Sequence, residues 1–342
     1  MGFGCMKKFI FIFVIAIITL VAIYGLLWLA SAKKYPVEFG ISFNQIHASS
    51  LGLDWKEAYG AVLGELKPKY VRIAAMWSQV EPENGRFVWD EVDFMMDEAA
   101  ENGVKILLVV GQKAPRWPEC HVPAWVDYGN GEARRELLEY VERAVERYKN
   151  HPALELWQVE NEPFIRFRFG ECAQYDADAA HDEIALIRSL DPDHNIVVTD
   201  SGELSTWRKA SGSGDILGTT MYRTVRNKKG RVIRHWWFPP ALYTLKARFW
   251  GIPRDRFFVS ELQAEPWFTA SNPLNTPIDV QEQTMNSDQL RDNIAYAKKI
   301  SASRAYFWGV EWWYWMKTRN DDARYWEIAR ETMQDGRLEI SD

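Results

Sequence analysis

Eight short, mostly apolar runs, separated by segments of helical period, constrain this chain more than any other feature. They fall at residues 37–43, 70–74, 105–110, 157–164, 195–199, 216–221, 257–261 and 305–310. Runs of this length and composition suit strands buried on both faces, as in a parallel sheet. One of the intervening helical segments starts near Asp54, whose carboxylate can cap free backbone N–H groups. A second runs from about Trp89 to Glu101 and closes at Asn102-Gly103. A third carries Leu137, Val141, Ala144, Val145 and Tyr148 on one face, with Glu and Arg opposite. The alternation predicts parallel strands joined by crossover helices, eight of each closing a (β/α)8 TIM barrel. No tandem repeat or low-complexity linker divides the 342 residues, so residues 35–342 read as one barrel domain.

Residues 9–32 carry no charge, with Lys7-Lys8 before them and Lys33-Lys34 after. A cleaved signal peptide has an apolar region of only about 7–15 residues, so this length predicts an uncleaved signal anchor, one transmembrane helix within residues 1–34. Ala30-Ser31-Ala32 resembles a cleavage site and keeps a secreted alternative open. Lysines on both flanks leave the positive-inside rule undecided. The net charge of −6 becomes −10 for residues 35–342, because the first 34 residues hold four Lys and no acid. A domain that acidic is a poor partner for nucleic acid.

Two of the runs lead to a carboxylate. Trp157-Gln158-Val159-Glu160-Asn161-Glu162-Pro163-Phe164 reads as a buried strand running into a loop, and Phe257-Phe258-Val259-Ser260-Glu261 as a strand ending on Glu. Burying an unpaired carboxylate is costly, so a Glu in such a place is solvated, paired or used. Barrels of this kind place their chemistry at the carboxyl ends of the strands, where Glu162 and Glu261 both fall.

Asn161-Glu162-Pro163 after the fourth strand and Ser260-Glu261 on the seventh resemble the clan A retaining glycoside hydrolases, over roughly residues 35–335. The resemblance implies a β-glycoside hydrolase that needs no cofactor and acts on an oligo- or polysaccharide. Glu162 is then the acid/base and Glu261 the nucleophile that forms a glycosyl-enzyme intermediate, the two carboxyls about 5–5.5 Å apart. It further implies that Arg72 and Tyr222 support the nucleophile, that Asn161 holds the sugar 2-hydroxyl, and that Trp312 forms an aromatic floor. Read alone, Arg72 suits a barrel salt bridge, Tyr222 and Trp312 packing, and Asn161 a turn. Glu160 and Glu265 compete for the two roles if the strand ends shift, while Glu81 and Glu311 read as loop or supporting groups. Trp117 and His121 lie in a Pro-rich loop after the third strand, where substrate-contacting loops sit. The 17 Trp are more than a core needs and suit a groove that stacks on sugar rings.

Trp77-Ser78-Gln79-Val80-Glu81-Pro82, with residues 85–89 and Asp93, resembles both the β-galactosidase-like and the xylanase-like families. Residues 157–162 and Glu261-Leu262 lean towards the xylanases. Yet apolar residues around Ile73 and Met76 stand where xylanases carry Asn and Lys, and Gly111-Gln112-Lys113 replaces their His-rich strand end. Cys120 and Cys172 follow the third and fourth strands, so outside the cytoplasm they either bridge or stay separate thiols. Residues 223–234 hold six basic residues and no acid around Asn227-Lys228-Lys229-Gly230, which reads as a solvated hairpin or a contact for an anionic glycan or lipid head group. The six His show no metal-ligand spacing, and neither G-x-G-x-x-G nor G-x-S-x-G occurs in the required context. The resulting expectation is a membrane-anchored or exported glycosidase with its barrel outside the cytoplasm and no metal. A non-catalytic glycan-binding barrel on the same anchor is the other reading.

Overall fold

The computed structural model describes residues 3–165, 170–172, 175–268 and 272–338. The predicted runs form strands β1 (Glu38–Ser42), β2 (Tyr70–Ala74), β3 (Lys105–Val110), β4 (Leu154–Val159), β5 (Asn195–Asp200) and β6 (Ile216–Met221), then β9 (Phe257–Gln263) and β10 (Arg304–Trp308). A hairpin, β7 (Thr224–Arg226) and β8 (Val232–Arg234), forms where the basic segment was read. The barrel closes in the order β1-β10-β9-β6-β5-β4-β3-β2, every neighbour parallel.

Alternation along the strands builds two apolar layers. Val71, Ile73, Ile106, Leu108, Trp157, Val159, Ile196 and Val198 pack outwards in the shell beneath the helices. Tyr70, Leu107, Leu156, Val197, Ile216, Phe258 and Tyr306 fill the barrel interior instead. Arg304 seals the foot of this interior, paired in two-pronged fashion with Glu155 at 2.8 and 3.0 Å and lying 3.3 Å from the Tyr70 ring. Filling the foot leaves the carboxyl-end mouth for polar side chains.

The helices used below are α1 (Phe3–Ala30), α2 (Asp90–Glu101), α3 (Ala133–Tyr148), α4 (Ala179–Leu190), α5 (Pro240–Phe249), α6 (Ser287–Ala297), α7 (Val310–Arg319) and α8 (Arg324–Leu338). Asp54 caps the first crossover as its position predicts, accepting from the Lys56 and Glu57 N–H groups at 2.9 and 3.2 Å. The expectation of eight crossover helices fails at the fifth, where only a 3-10 turn, Ala210–Gly212, forms between β5 and β6. This segment is rich in Gly and Ser, poor helix formers, and it presses directly on the sheet. A Cβ at Gly202 would lie 2.1 Å from the Thr220 carbonyl oxygen, and one at Gly214 2.8 Å from that of Ile196.

Within α1, Lys8–Ala30 has a mean hydropathy of 3.0 and lies outside the barrel, long and apolar enough to cross a membrane. Only its last turns dock. The Tyr24 hydroxyl donates to the Trp237 carbonyl at 2.7 Å, and the Ala241 N–H at the start of α5 donates to Ser31 Oγ at 3.0 Å. On the mouth side, the loops after β3 and β4 are joined by a disulfide between Cys120 and Cys172, with Cα atoms 5.2 Å apart. Gly170 lets the two loops meet: its φ is +89°, and a Cβ there would sit 2.5 Å from that of Glu119.

Candidate active site

Glu261 reaches the mouth because β9 carries a bulge. Val259 pairs with Thr219 and Glu261 with Thr220, so Ser260 has no partner on β6, and the register slips against β10 as well. Phe258 faces the interior, so a regular strand would send Ser260 and Leu262 inwards and Glu261 out beneath the helices. The extra residue reverses this. Glu261 turns in, while Leu262 packs in the outer core. Gly218 makes the room, since a Cβ there would be 3.0 Å from that of Ser260.

Charge surrounds the inward carboxylate. Glu261 Oε1 accepts from Arg72 Nη1 at 3.1 Å, and Oε2 accepts from the Tyr222 hydroxyl at 2.7 Å. Arg72, 1% exposed, is held by Gln158 Oε1 at 2.9 Å and Asn161 Oδ1 at 3.0 Å. Asn161 Nδ2 in turn donates to Glu119 Oε2 at 3.0 Å. Arg72, Asn161 and Tyr222 therefore meet around Glu261, as the resemblance implies. A buried guanidinium and a phenol thus donate to the two oxygens of this carboxylate.

Glu162 stands in a different environment. It lies three residues past β4 with φ +47°, a left-handed conformation uncommon for a non-glycine residue. Its N–H donates to Thr199 Oγ1 at 2.8 Å, and its Oε1 accepts from Thr220 Oγ1 at 3.1 Å. Burial, and after it the negative charge of Glu261, push its pKa up to about 8. One carboxyl thus holds a proton at neutral pH while a guanidinium and a phenol flank the other.

The two competing acids are engaged elsewhere. Glu160 is fully buried, and its oxygens accept from the Gln112 and Lys113 N–H groups at 3.0 and 2.7 Å. Glu183 of α4 lies beside it, also fully buried. Burial pushes both carboxyls up, Glu160 to about 7, so the pair holds a proton between its members. Gly111 gives them space: at its φ of +114°, a Cβ would meet Glu183 Oε2 at 2.7 Å. Between about pH 4.5 and about 7 the folded chain therefore binds more protons here than the unfolded one, and stability falls as pH rises through that window. Glu183→Gln, which keeps the shape and can donate to Glu160, should leave Tm almost unchanged at about pH 5 and raise it by several degrees at about pH 8. Thermal melts at the two pH values check this.

Glu265 pairs with Arg116 and His47; burial pushes its carboxyl up, but the combined charge and hydrogen bonds of Arg116 and His47 outweigh it and bring the pKa down to about 2. Arg116 also bonds Glu311 Oε2 at 2.8 Å and lies 4.1 Å over the Trp308 ring. Although the sequence shows no metal spacing, the ligand atoms of His47, Glu265 and Glu311 converge within 4.8 Å. The Arg116 guanidinium, paired with both carboxylates, already supplies a positive charge there. Glu81 accepts from Trp77 Nε1 and the Gly85 N–H at 2.8 and 2.9 Å, a loop-bracing role.

Three aromatic or loop expectations need correction or refinement. Trp312 is fully buried in α7, bonded to Gln281 Oε1 at 2.8 Å and packed 4.5 Å from the Tyr325 ring, so it offers no face to a ligand. Strand β10 ends at Trp308, and that residue lines the cleft beside Arg72, Asn44 and Glu311. His121 is buried in its loop, its Nε2 at 3.3 Å from the Arg116 carbonyl, and burial lowers its pKa; it braces the loop. Trp117 is 61% exposed on the rim.

Sequence reading missed Glu119. Burial pushes it up to about 7, and Lys113 Nζ lies 4.0 Å away. Thr199, Thr220 and Gln158 were missed as well. Their only sequence signal was inward register on strands already identified.

Comparison with known proteins agrees with the barrel fold. Residues 84–230 match the model of the glycosyl hydrolases family 2 TIM barrel domain. Beta-galactosidase Pbg of Clostridium perfringens is 27% identical over 132 residues, 32% of this chain and 19% of that protein. Beta-galactosidase BgaB of a Geobacillus species is 32% identical over 104 residues, 25% of this chain and 16% of its own length. The chain thus spans less than a fifth of either relative. Among solved structures, Gan42B, a GH42 beta-galactosidase from G. stearothermophilus, aligns with a TM-score of 0.59 at 15% identity over 88% of this chain and 56% of that one. The beta-galactosidase of Halorubrum lacusprofundi aligns at 0.56 with 16% identity, over 88% of this chain and 58% of its own. These structures share the barrel. The chain is similar to the clan A glycoside hydrolases, as its strand-end motifs suggested.

Proposed function

We propose that this chain is a retaining β-glycoside hydrolase, anchored by α1 with its barrel outside the cytoplasm. The observation that carries the reading is the opposed pair: Glu162, buried and protonated at neutral pH, and Glu261, held by Arg72 and Tyr222. Glu162 donates its proton to the leaving oxygen while Glu261 attacks the anomeric carbon. Water then resolves the glycosyl-enzyme with Glu162 acting as base. Asn161, bonded to both Arg72 and Glu119, presents its amide beside the nucleophile, where a sugar 2-hydroxyl would lie. Trp308 takes the aromatic role first given to Trp312. No group in this mechanism calls for a metal or cofactor.

The names of the relatives make β-galactosides the first substrates to try. Full-length protein should hydrolyse an aryl β-galactoside or another aryl β-glycoside, and proton NMR should show the β-anomer of the free sugar appearing before mutarotation. An α-anomer as first product would rule out the double displacement. A folded protein that binds glycans but turns none over would favour the non-catalytic barrel.

A further inference from the structure

The membrane helix and the catalytic mouth lie at the same end of the barrel. Followed along the chain, Tyr24 bonds the Trp237 carbonyl in the loop after β6, and Ser31 meets the first turn of α5. Tyr35 and Pro36 then reach Lys298 and Arg254, just before β10 and β9, at the foot. The chain therefore descends from mouth to foot, and the helix N-terminal to Tyr24, on the mouth side of these contacts, is exposed. At about 1.5 Å per residue, residues 8–23 are about 24 Å long, close to the thickness of a hydrocarbon core of about 30 Å.

The rim has the composition of a membrane interface. Of nine exposed large apolar residues outside α1, among the described residues, seven lie on segments that follow strands at the mouth, including Trp117, Leu204, Trp236, Trp237 and Leu274. Trp236 is 73% exposed. On α1 itself, Tyr24, which bonds the Trp237 carbonyl, lies with Trp28, their rings 6.3 Å apart. Trp and Tyr at one depth form the aromatic belts that mark membrane–water boundaries. Beside them Lys228, Lys229, Arg231 and Arg234 are exposed on the hairpin of an otherwise acidic domain, a charge pattern suited to anionic head groups.

We infer that the mouth faces the bilayer and that the glycan it takes is carried on a lipid of that membrane. This rests on the hydrolase reading and names its substrate class. A lipid-borne sugar is presented at the depth of Glu162 and Glu261, whereas a soluble polysaccharide has to enter between rim and bilayer.

Two measurements on the full chain in vesicles of phosphatidylcholine and phosphatidylglycerol test it. In the first, with Cys5→Ser, a fluorophore is attached singly at Trp28→Cys, Trp236→Cys, Leu204→Cys or Asp193→Cys, the last at the foot, and lipids carrying a nitroxide near the head group supply the quencher. The first three probes should be quenched and the fourth not. Quenching at position 28 with none at 204 and 236 overturns the orientation. In the second, kcat/KM on a β-galactosyl diacylglycerol in the vesicles should exceed that on soluble β-galactosylglycerol by about tenfold or more, from confinement to one surface. Trp236→Ser with Trp237→Ser should lose that preference and keep soluble turnover. Equal rates on both substrates overturn the lipid-borne class and leave the hydrolase standing. No turnover of either, or of any aryl β-glycoside, overturns both.

Discussion

Replacing Glu261 with Ala is expected to reduce kcat on an aryl β-glycoside by about 10⁴-fold or more, because no other carboxylate can take the covalent step. Of the other carboxyls near the mouth, Glu162 gives its proton to the leaving group on this reading, and Glu119 is bonded to Asn161. Glu160 faces the Gln112 and Lys113 amides, and Glu265 is paired with Arg116 and His47. The variant carries a folding risk. Arg72 is 1% exposed, and losing the partner of a buried charge costs about 3–5 kcal/mol. Two comparisons keep the test sharp. Glu261→Gln preserves the volume and can still accept from Tyr222, so it should fold and be equally inactive. Azide added to Glu261→Ala should restore turnover by entering the vacated face, giving a glycosyl azide of α configuration. A Glu261→Ala protein with wild-type activity would remove Glu261 from the mechanism.

The barrel was legible because its strands are short apolar runs separated by segments of helical period, and three of them, β2, β3 and β6, have the bounds read from the sequence. Motif residues that close the site through side chains of fixed reach, Arg72 to Glu261 and Tyr222 to Glu261, were legible by resemblance. What failed has identifiable causes. The fifth crossover lacks its helix because Gly202 and Gly214 press on strand backbone, a contact with no local pattern. Trp312 was misplaced because β10 ends two residues earlier than its apolar run, and α7 begins within that run. The bulge at Ser260 is equally silent in sequence, since alternation alone would have turned Glu261 out of the barrel. Glu119 was hidden in a loop whose place at the mouth rests on long-range ties, the disulfide to Cys172 and the Asn161 hydrogen bonds among them.

Glu162→Gln separates the two carboxyls by chemistry instead of position. Glutamine keeps the shape and can still accept from Thr220, so stability should change little, yet it has no proton to donate. With a β-glycoside of a poor leaving group, kcat should fall by about 10²–10⁴-fold, the usual worth of general acid catalysis. With a dinitrophenyl leaving group, glycosylation needs no acid, and the loss on that step should nearly vanish. The pH profile carries the second half of the argument. Burial and the Glu261 charge hold Glu162 at about 8, so the wild-type kcat/KM on the poor substrate should fall as pH rises through about 8, where the acid loses its proton. Glu162→Gln should lack that limb. If the alkaline limb survives in Glu162→Gln, it belongs to another group, and Glu119, pushed up to about 7 by burial, is the next carboxyl to replace. Glu119→Gln should then remove the limb if Glu119 is the donor, and leave it in place if it only orients Asn161, with which it shares a hydrogen bond.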